Sequence, residues 1–137
     1  MTSSATPADT DRCPCTSGDV YASCCGPVIA SGIAPTAVRL MRSRFSAFAI
    51  GDAAHLIRTW HPSTRPGDLG LDAGTRWLRL DILGHEAGGP FDAEGVVEFE
   101  AFYRDGQGRG ALRERSRFVR EERVWLYVDG DVRPSTR

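Results

Sequence analysis

Residues 76–83, RWLRLDIL, mark the point where the hydrophobic spacing of the chain changes from a period near 3.6 to a period of 2. Leu78, Leu80 and Ile82 alternate with Arg79 and Asp81, which predicts a strand with the leucines on one face. Trp77 falls on the opposite face. Working forward, residues 84–94 carry Gly84, Gly88, Gly89 and Pro90 and read as a loop. GVVEFEAFY (95–103) is β-branched and aromatic through most of its length and is the strongest strand signal. RDGQGRG (104–110) reads as a hairpin connection, ALRERSRFVRE (111–121) as the next strand and VWLYVDG (124–130) as the last.

Working backward, the period is helical. Thr36 is placed to cap a helix running to about Ile50, with Val38, Met41, Phe45 and Phe48 along one face and Arg39, Arg42 and Ser46 off it. Gly51 can end that helix, and Asp52 can cap a second over about Ala53–Trp60 that buries Leu56, Ile57 and Trp60. His61–Gly74 is rich in turn residues and reads as a loop. Helices first and an antiparallel meander after them predict an α+β fold, with the helices packed on one face of the sheet. Strands joined by short connections argue against a parallel Rossmann-type sheet, and GDLGLDAG follows a helix and a Pro, so it fits no nucleotide motif.

The 137 residues suit one domain with a small appendage. A net charge of −1 gives no global attraction to nucleic acid or anionic membrane. The chain has no lysine, and all 17 basic side chains are arginine, a compositional bias that lowers the weight of any single arginine. MTSSATPADTDR has neither a basic start nor an apolar run, and no stretch is long and apolar enough for a membrane span, so a cytoplasmic protein with reduced thiols is expected. Residues 1–11 are expected to be disordered and 131–137 to form a tail.

The four cysteines, Cys13, Cys15, Cys24 and Cys25, all lie in CPCTSGDVYASCCGP, residues 13–27. Two short-spaced thiol pairs joined by a tight loop can converge on one ion. Four soft thiolates suit tetrahedral zinc, and iron satisfies the same donors. Disulfides and a redox pair are the competing readings. The first fits poorly with a reducing compartment, and the second lacks the C-x-x-C spacing. A site with four protein ligands is closed, so its expected role is structural. Residues 12–27 are read as the metal module, 28–35 as a linker and 36–130 as the main domain.

CPCTSGDVYASCCG resembles the SEC-C motif, the small zinc module of the SecA preprotein translocase ATPase, at Cys13, Pro14, Cys15, Ser17, Gly18, Tyr21, Cys24 and Cys25. Thr16 stands where glycine is usual, and Asp19-Val20 where two lysines are usual. LMRSRFSAFAIGD (40–52), TWHPSTRP (59–66), VEFEAFY (97–103), LRERSRF (112–118) and VWLYVDG (124–130) are similar to the YchJ family, which joins a SEC-C module to a nuclear transport factor 2-like domain. The resemblance implies one zinc ion on the four cysteines. It implies a protein partner in export, chaperoning or the ribosome, and a curved sheet wrapped as a cone around helices with a cavity inside.

Strand parity then selects the candidate pocket. Leu112, Glu114, Ser116 and Phe118 should face inward and Arg113, Arg115 and Arg117 outward, because burying three arginines is very unfavourable. The expected pocket is Trp60, His61, Arg65, Tyr103, Glu114 and Ser116, joined by Trp77 if a bulge or sheet curvature turns it inward. Two functions follow: an interaction or small-ligand-binding protein, or a small isomerase-, dehydratase- or hydrolase-type enzyme with Glu114 and His61 moving a proton and Arg65 clamping an anion. A buried ion pair pinning the HPSTRP loop is the structural alternative. The arginine face is a candidate RNA or ribosome contact. His55 and His85 read as surface residues.

Overall fold

The structure, a computed structural model, describes residues 6–133. A 3-10 turn (Tyr21–Ser23) leads into α1 (Cys25–Ser31), followed by α2 (Ala37–Ile50) and α3 (Ala53–Arg58). Four strands complete the chain: β1 (Arg76–Ala87), β2 (Glu94–Asp105), β3 (Gly108–Glu121) and β4 (Val124–Arg133). The strands pair antiparallel in the order β1-β2-β3-β4. Residues 28–31, expected as linker, belong to α1. Residues 84–87 and 104–110, expected as loops, largely extend the strands, leaving tight two-residue turns after β2 and β3.

The α+β class holds, but the cone does not form. The sheet is open, neither closed nor strongly curled. Both edges are covered by other parts of the chain rather than by each other, β4 by backbone and β1 by a side chain, the usual means of blunting a sheet edge. At β4, Tyr127 N–H donates to Thr59 O (2.8 Å) and His61 N–H donates to Tyr127 O (2.7 Å). At β1, Leu80 meets Thr16 of the cysteine module.

Helix α2 is the element around which everything packs. Thr36 caps it by accepting from Arg39 N–H at 3.1 Å, and Gly51 ends it in a left-handed conformation. Met41, Phe45 and Phe48 face the sheet. Ser43 faces α3, with its Oγ 2.9 Å from His55 Nε2. Arg39, Arg42 and Ser46, off the apolar stripe, face the cysteine module through bonds to Cys24, Cys15 and Cys13. The four cysteines therefore share one continuous core with Met41, Phe45, Leu80 and Phe118. Burial near 25 cal/mol per Å² of apolar surface makes that shared core the main favourable term.

Strand β1 corrects the simple alternation. Register shifts between Trp77 and Arg79 and between Ile82 and Gly84 leave Leu78 and Leu83 as the extra residues. Both are exposed, whereas Trp77, Leu80 and Ile82 pack on the core. Two bulges thus bring Trp77 to the inner face and send Leu78 outward.

Of the amino-terminal stretch expected to be disordered, residues 1–5 lie outside the described residues. Asp9 and Asp11 are engaged: their carbonyls accept from Ala22 N–H and Tyr21 N–H at 3.1 and 2.8 Å. Of the expected tail, 131–133 continue β4, and 134–137 lie outside the described residues. His55, read as a surface residue, is 1% exposed beneath α2, and His85 is exposed.

Candidate metal centre and cavity

The sequence places two cysteine pairs on either side of a tight loop. Gly18 takes φ +100°, and Tyr21, buried at 6% exposure, closes the apolar side. All four cysteines are buried, none is in a disulfide, and their sulfurs lie within 4.8 Å of one another. Cys15 Sγ is 3.5 Å from Cys24 Sγ, which is 4.0 Å from Cys25 Sγ. A tetrahedral zinc thiolate with bonds of about 2.3 Å needs sulfurs about 3.8 Å apart, so the donor set fits a single ion. The surroundings fit an anionic cluster as well. Ser17 Oγ is 3.1 Å from Cys24 Sγ, Ser46 Oγ is 3.6 Å from Cys13 Sγ, and Arg42 Nη1 is 3.7 Å from Cys15 Sγ.

The thiols cannot all ionise without a cation. Hydrogen bonds from Cys13 and Cys25 hold the Cys15 thiol far below the usual range. Burial pushes Cys24 up to about 11, and hydrogen bonding to Cys13 and Cys15 pushes Cys25 up further still. Adjacent thiolates repel, and protons remain on some of them until a dication replaces them.

A cavity of about 230 Å³ lies between α2 and the inner face of the sheet. Its apolar walls are Met41, Phe45, Phe48, Trp77, Phe99 and Leu112. Its polar groups are Arg44, Glu114, Ser116 and Tyr127. Arg44 and Ser116 are fully buried and form the floor, while Phe48, Trp77 and Leu112 are half-exposed and form the rim. Glu114 Oε2 accepts from Ser116 Oγ at 2.9 Å and from Tyr127 Oη at 3.0 Å. Arg44 Nη1 donates to Leu56 O and Thr59 Oγ1, and the guanidinium stacks 4.5 Å from the Tyr127 ring and 5.1 Å from that of Trp60. Burial lowers the Arg44 pKa to about 10, so it stays charged at neutral pH. Burial and the Glu114 carboxylate raise that of Tyr127, which stays protonated.

The expected pocket residues separate into three groups. Trp77, Glu114 and Ser116 line the cavity, Trp77 because of the β1 bulge. Trp60 and Tyr103 stand one layer out, Trp60 behind Arg44 and Tyr103 against Trp77, with ring centroids 5.3 Å apart. His61 and Arg65 are elsewhere. His61 Nε2 meets Glu121 at 3.0 Å and its Nδ1 meets Ser63, while Arg65 Nε donates to Trp60 O on the exposed loop. The loop is pinned to β4 rather than to Glu114, so the Glu114–His61–Arg65 set for proton transfer is not assembled.

Arg44 and Tyr127 were not selected by sequence. Arg44 was legible in principle, since it follows Met41 by three and Leu40 by four on the buried side of α2. The three strand arginines do face outward, and each is paired. Arg113 meets Glu98, Arg115 meets Glu86, and Arg117 meets Asp129 and Asp131, at 2.6–3.1 Å.

A four-cysteine knuckle packed on the first long helix of an α+β domain is the architecture of a SEC-C protein with a nuclear transport factor 2-like domain. The profile described as "YchJ, middle NTF2-like domain" matches residues 36–130, and that of the SEC-C motif matches residues 10–27. The chain belongs to the YchJ family. It is 49% identical to a UPF0225 protein of Corynebacterium glutamicum over 88% of this chain and 97% of that one. It is also 49% identical to a UPF0225 protein of Streptomyces coelicolor, over 89% and 96%. Among solved structures, a SEC-C motif-containing protein from Rhodopseudomonas palustris superposes with a TM-score of 0.76 at 31% identity, covering 89% of this chain and 98% of that one. Another from Psychrobacter arcticus gives a TM-score of 0.73 at 25% identity over 94% and 86%. No helix among the described residues is long and apolar enough to cross a membrane.

Proposed function

We propose that the chain is a zinc-stabilised binding protein. Cys13, Cys15, Cys24 and Cys25 hold one structural zinc ion, and the cavity between α2 and the sheet receives a small ligand. The observation that carries the metal reading is the convergence of four buried sulfurs within 4.8 Å, supported by Ser17, Arg42 and Ser46. Four protein donors leave no coordination position for a substrate, so the ion stabilises rather than reacts. Its reach is wider than the knuckle, because the same cysteines anchor the outer face of α2.

A macromolecular partner, which the SEC-C resemblance implies, is more consistent with a protein than with RNA. The arginine face is neutralised by its own carboxylates, and Asp19 and Val20 are exposed at the tip of the module. A link to export, chaperones or the ribosome would be read through that tip.

Metal analysis of natively purified protein tests the reading. About one zinc per chain is expected, without the visible absorption of an iron–thiolate centre, and Cys24→Ser should lose the metal. Metal-free protein with oxidised cysteines, or a coloured iron protein, overturns it.

A further inference from the structure

The reading of the cavity as a ligand site can be taken one step further, to the class of ligand. We infer that it binds a small, flat, uncharged molecule that presents an amide-type edge, an N–H donor beside a C=O acceptor, to Glu114 and Arg44.

The charge balance carries this. Arg44 and Glu114 are the only formally charged groups lining the cavity, and they are of opposite sign. Arg44 is 3% exposed, and its side-chain hydrogen bonds go to Leu56 O and Thr59 Oγ1 rather than to Glu114, whose Oε2 is taken by Ser116 and Tyr127. A donor and an acceptor therefore stand apart over one cavity floor. An anionic ligand would gain Arg44 and meet Glu114, and a cationic one the reverse. In a site walled mostly by apolar side chains, either mismatch is unfavourable. A neutral amide edge serves both groups without adding charge.

The geometry agrees. Ser116 and Tyr127 both bond to Oε2 of Glu114, so Oε1 is the oxygen a ligand N–H would meet. Arg44 is held through Nη1 and by two aromatic rings, which fixes the direction of its remaining donors. Phe45 and Phe48 on α2 and Trp77 on β1 supply flat walls, with Trp77 5.9 Å from Phe45 and 6.1 Å from Phe48. About 230 Å³ is below the range of drug-sized sites and suits one ring or two fused rings.

The test is an NMR titration of the metal-loaded full chain with benzamide, benzoate and benzamidine, three ligands of one shape and three charges. Benzamide should shift the Phe45, Phe48 and Trp77 signals and bind about tenfold more tightly than either ion. Glu114→Gln should reverse the order in favour of benzoate, since Arg44 is then the only charge. If no probe shifts the cavity residues, the ligand-site reading itself fails. If the probes bind but benzoate or benzamidine matches benzamide in the native chain, the site stands and the inferred ligand class is wrong. The native comparison decides this even if Glu114→Gln does not fold.

Discussion

Thr16 Oγ1 lies 3.1 Å from Leu80 N and accepts its hydrogen bond, tying the cysteine loop to the edge of the sheet. The hydroxyl proton is shared between Cys15 O at 2.6 Å and Leu80 O at 3.3 Å, with the shorter bond going to Cys15. Thr16 holds φ +61°, a left-handed conformation unusual for a β-branched residue. The strain and the docking are the same event. The hydroxyl reaches β1 because the backbone is turned there, at the position where the SEC-C pattern usually has glycine. Thr16→Val keeps the strain and loses the bonds, and should reduce stability by about 2 kcal/mol. Thr16→Gly loses the bonds but relieves the backbone, for a net loss of about 1 kcal/mol. Urea unfolding gives the order, and amide exchange at Leu80 should quicken in both. Unchanged exchange at Leu80 means that the contact does not hold the edge.

Arg42 supports the cysteine cluster from α2, donating to Cys15 O at 3.3 Å and approaching Cys15 Sγ at 3.7 Å. Residues that hold ligands in place typically change metal affinity by about 10–100-fold. Arg42→Gln should therefore weaken zinc binding within that range, measured by competition with a chromophoric chelator, while the four cysteines remain. Affinity equal to that of the native chain would leave Arg42 a surface residue.

Gly130 is the β4 partner of Ser116, and a Cβ built on it would collide with the Glu114 carboxylate. The glycine makes room for Glu114 to lie across the strand, where Tyr127 and Ser116 hold it. Gly130→Ala should displace that carboxylate, expose its Oε2 to rearrangement and weaken benzamide binding about tenfold, while zinc content stays native. Binding unchanged in the alanine variant would show that Glu114 does not contact the ligand.

His55 sets a pH dependence. It is buried between Ser43 Oγ, 2.9 Å from Nε2, and Arg58, 3.4 Å from Nδ1. Burial, with smaller contributions from Arg58 and Arg44 outweighing Asp52, lowers its pKa from 6.5 to about 4. Above pH 6.5 both folded and unfolded states carry it neutral, and its contribution is fully present. Between 6.5 and 4 the unfolded chain takes up a proton that the folded chain refuses, so stability falls as pH falls, by up to about 1.4 kcal/mol per pH unit. His55→Gln should flatten that part of the stability curve. The comparison separates His55 from the cysteines, which both proteins share.

The difference between what the sequence disclosed and what it withheld is physical. Caps, periods and the cysteine spacing are local: Thr36, Gly51 and Asp52 act within a few residues of themselves, and the four thiols gather within one short stretch, 13–25. Inward Glu114 and Ser116 followed from strand alternation and the unfavourable burial of their arginine neighbours. Leu78 was misplaced because a bulge is a pairing event, invisible to a period counted along one strand. His61 finds Glu121 because the loop after α3 joins β4 near its start, a long-range choice that residue type does not encode. The expectation of a cone came from resemblance, and only the pairing of whole strands could correct it. Arg44 was passed over because seventeen arginines and no lysine make any one of them look like bias.

Arg44 is where that bias misleads most, because its planar head is used on several sides at once. It bonds to the Leu56 carbonyl and Thr59 hydroxyl while its guanidinium stacks on Trp60 and Tyr127. Lysine would keep the charge but not the planar stacking. Arg44→Lys should lower stability by about 2 kcal/mol, combining the lost ring contacts with a less well satisfied Leu56 carbonyl. A double-mutant cycle with Trp60→Leu should return a coupling of about 1 kcal/mol, because the two substitutions remove the same stacking contact. Additive effects would mean that the Trp60 ring contributes only its own burial, and that Arg44 is held by Leu56, Thr59 and the Tyr127 ring without it.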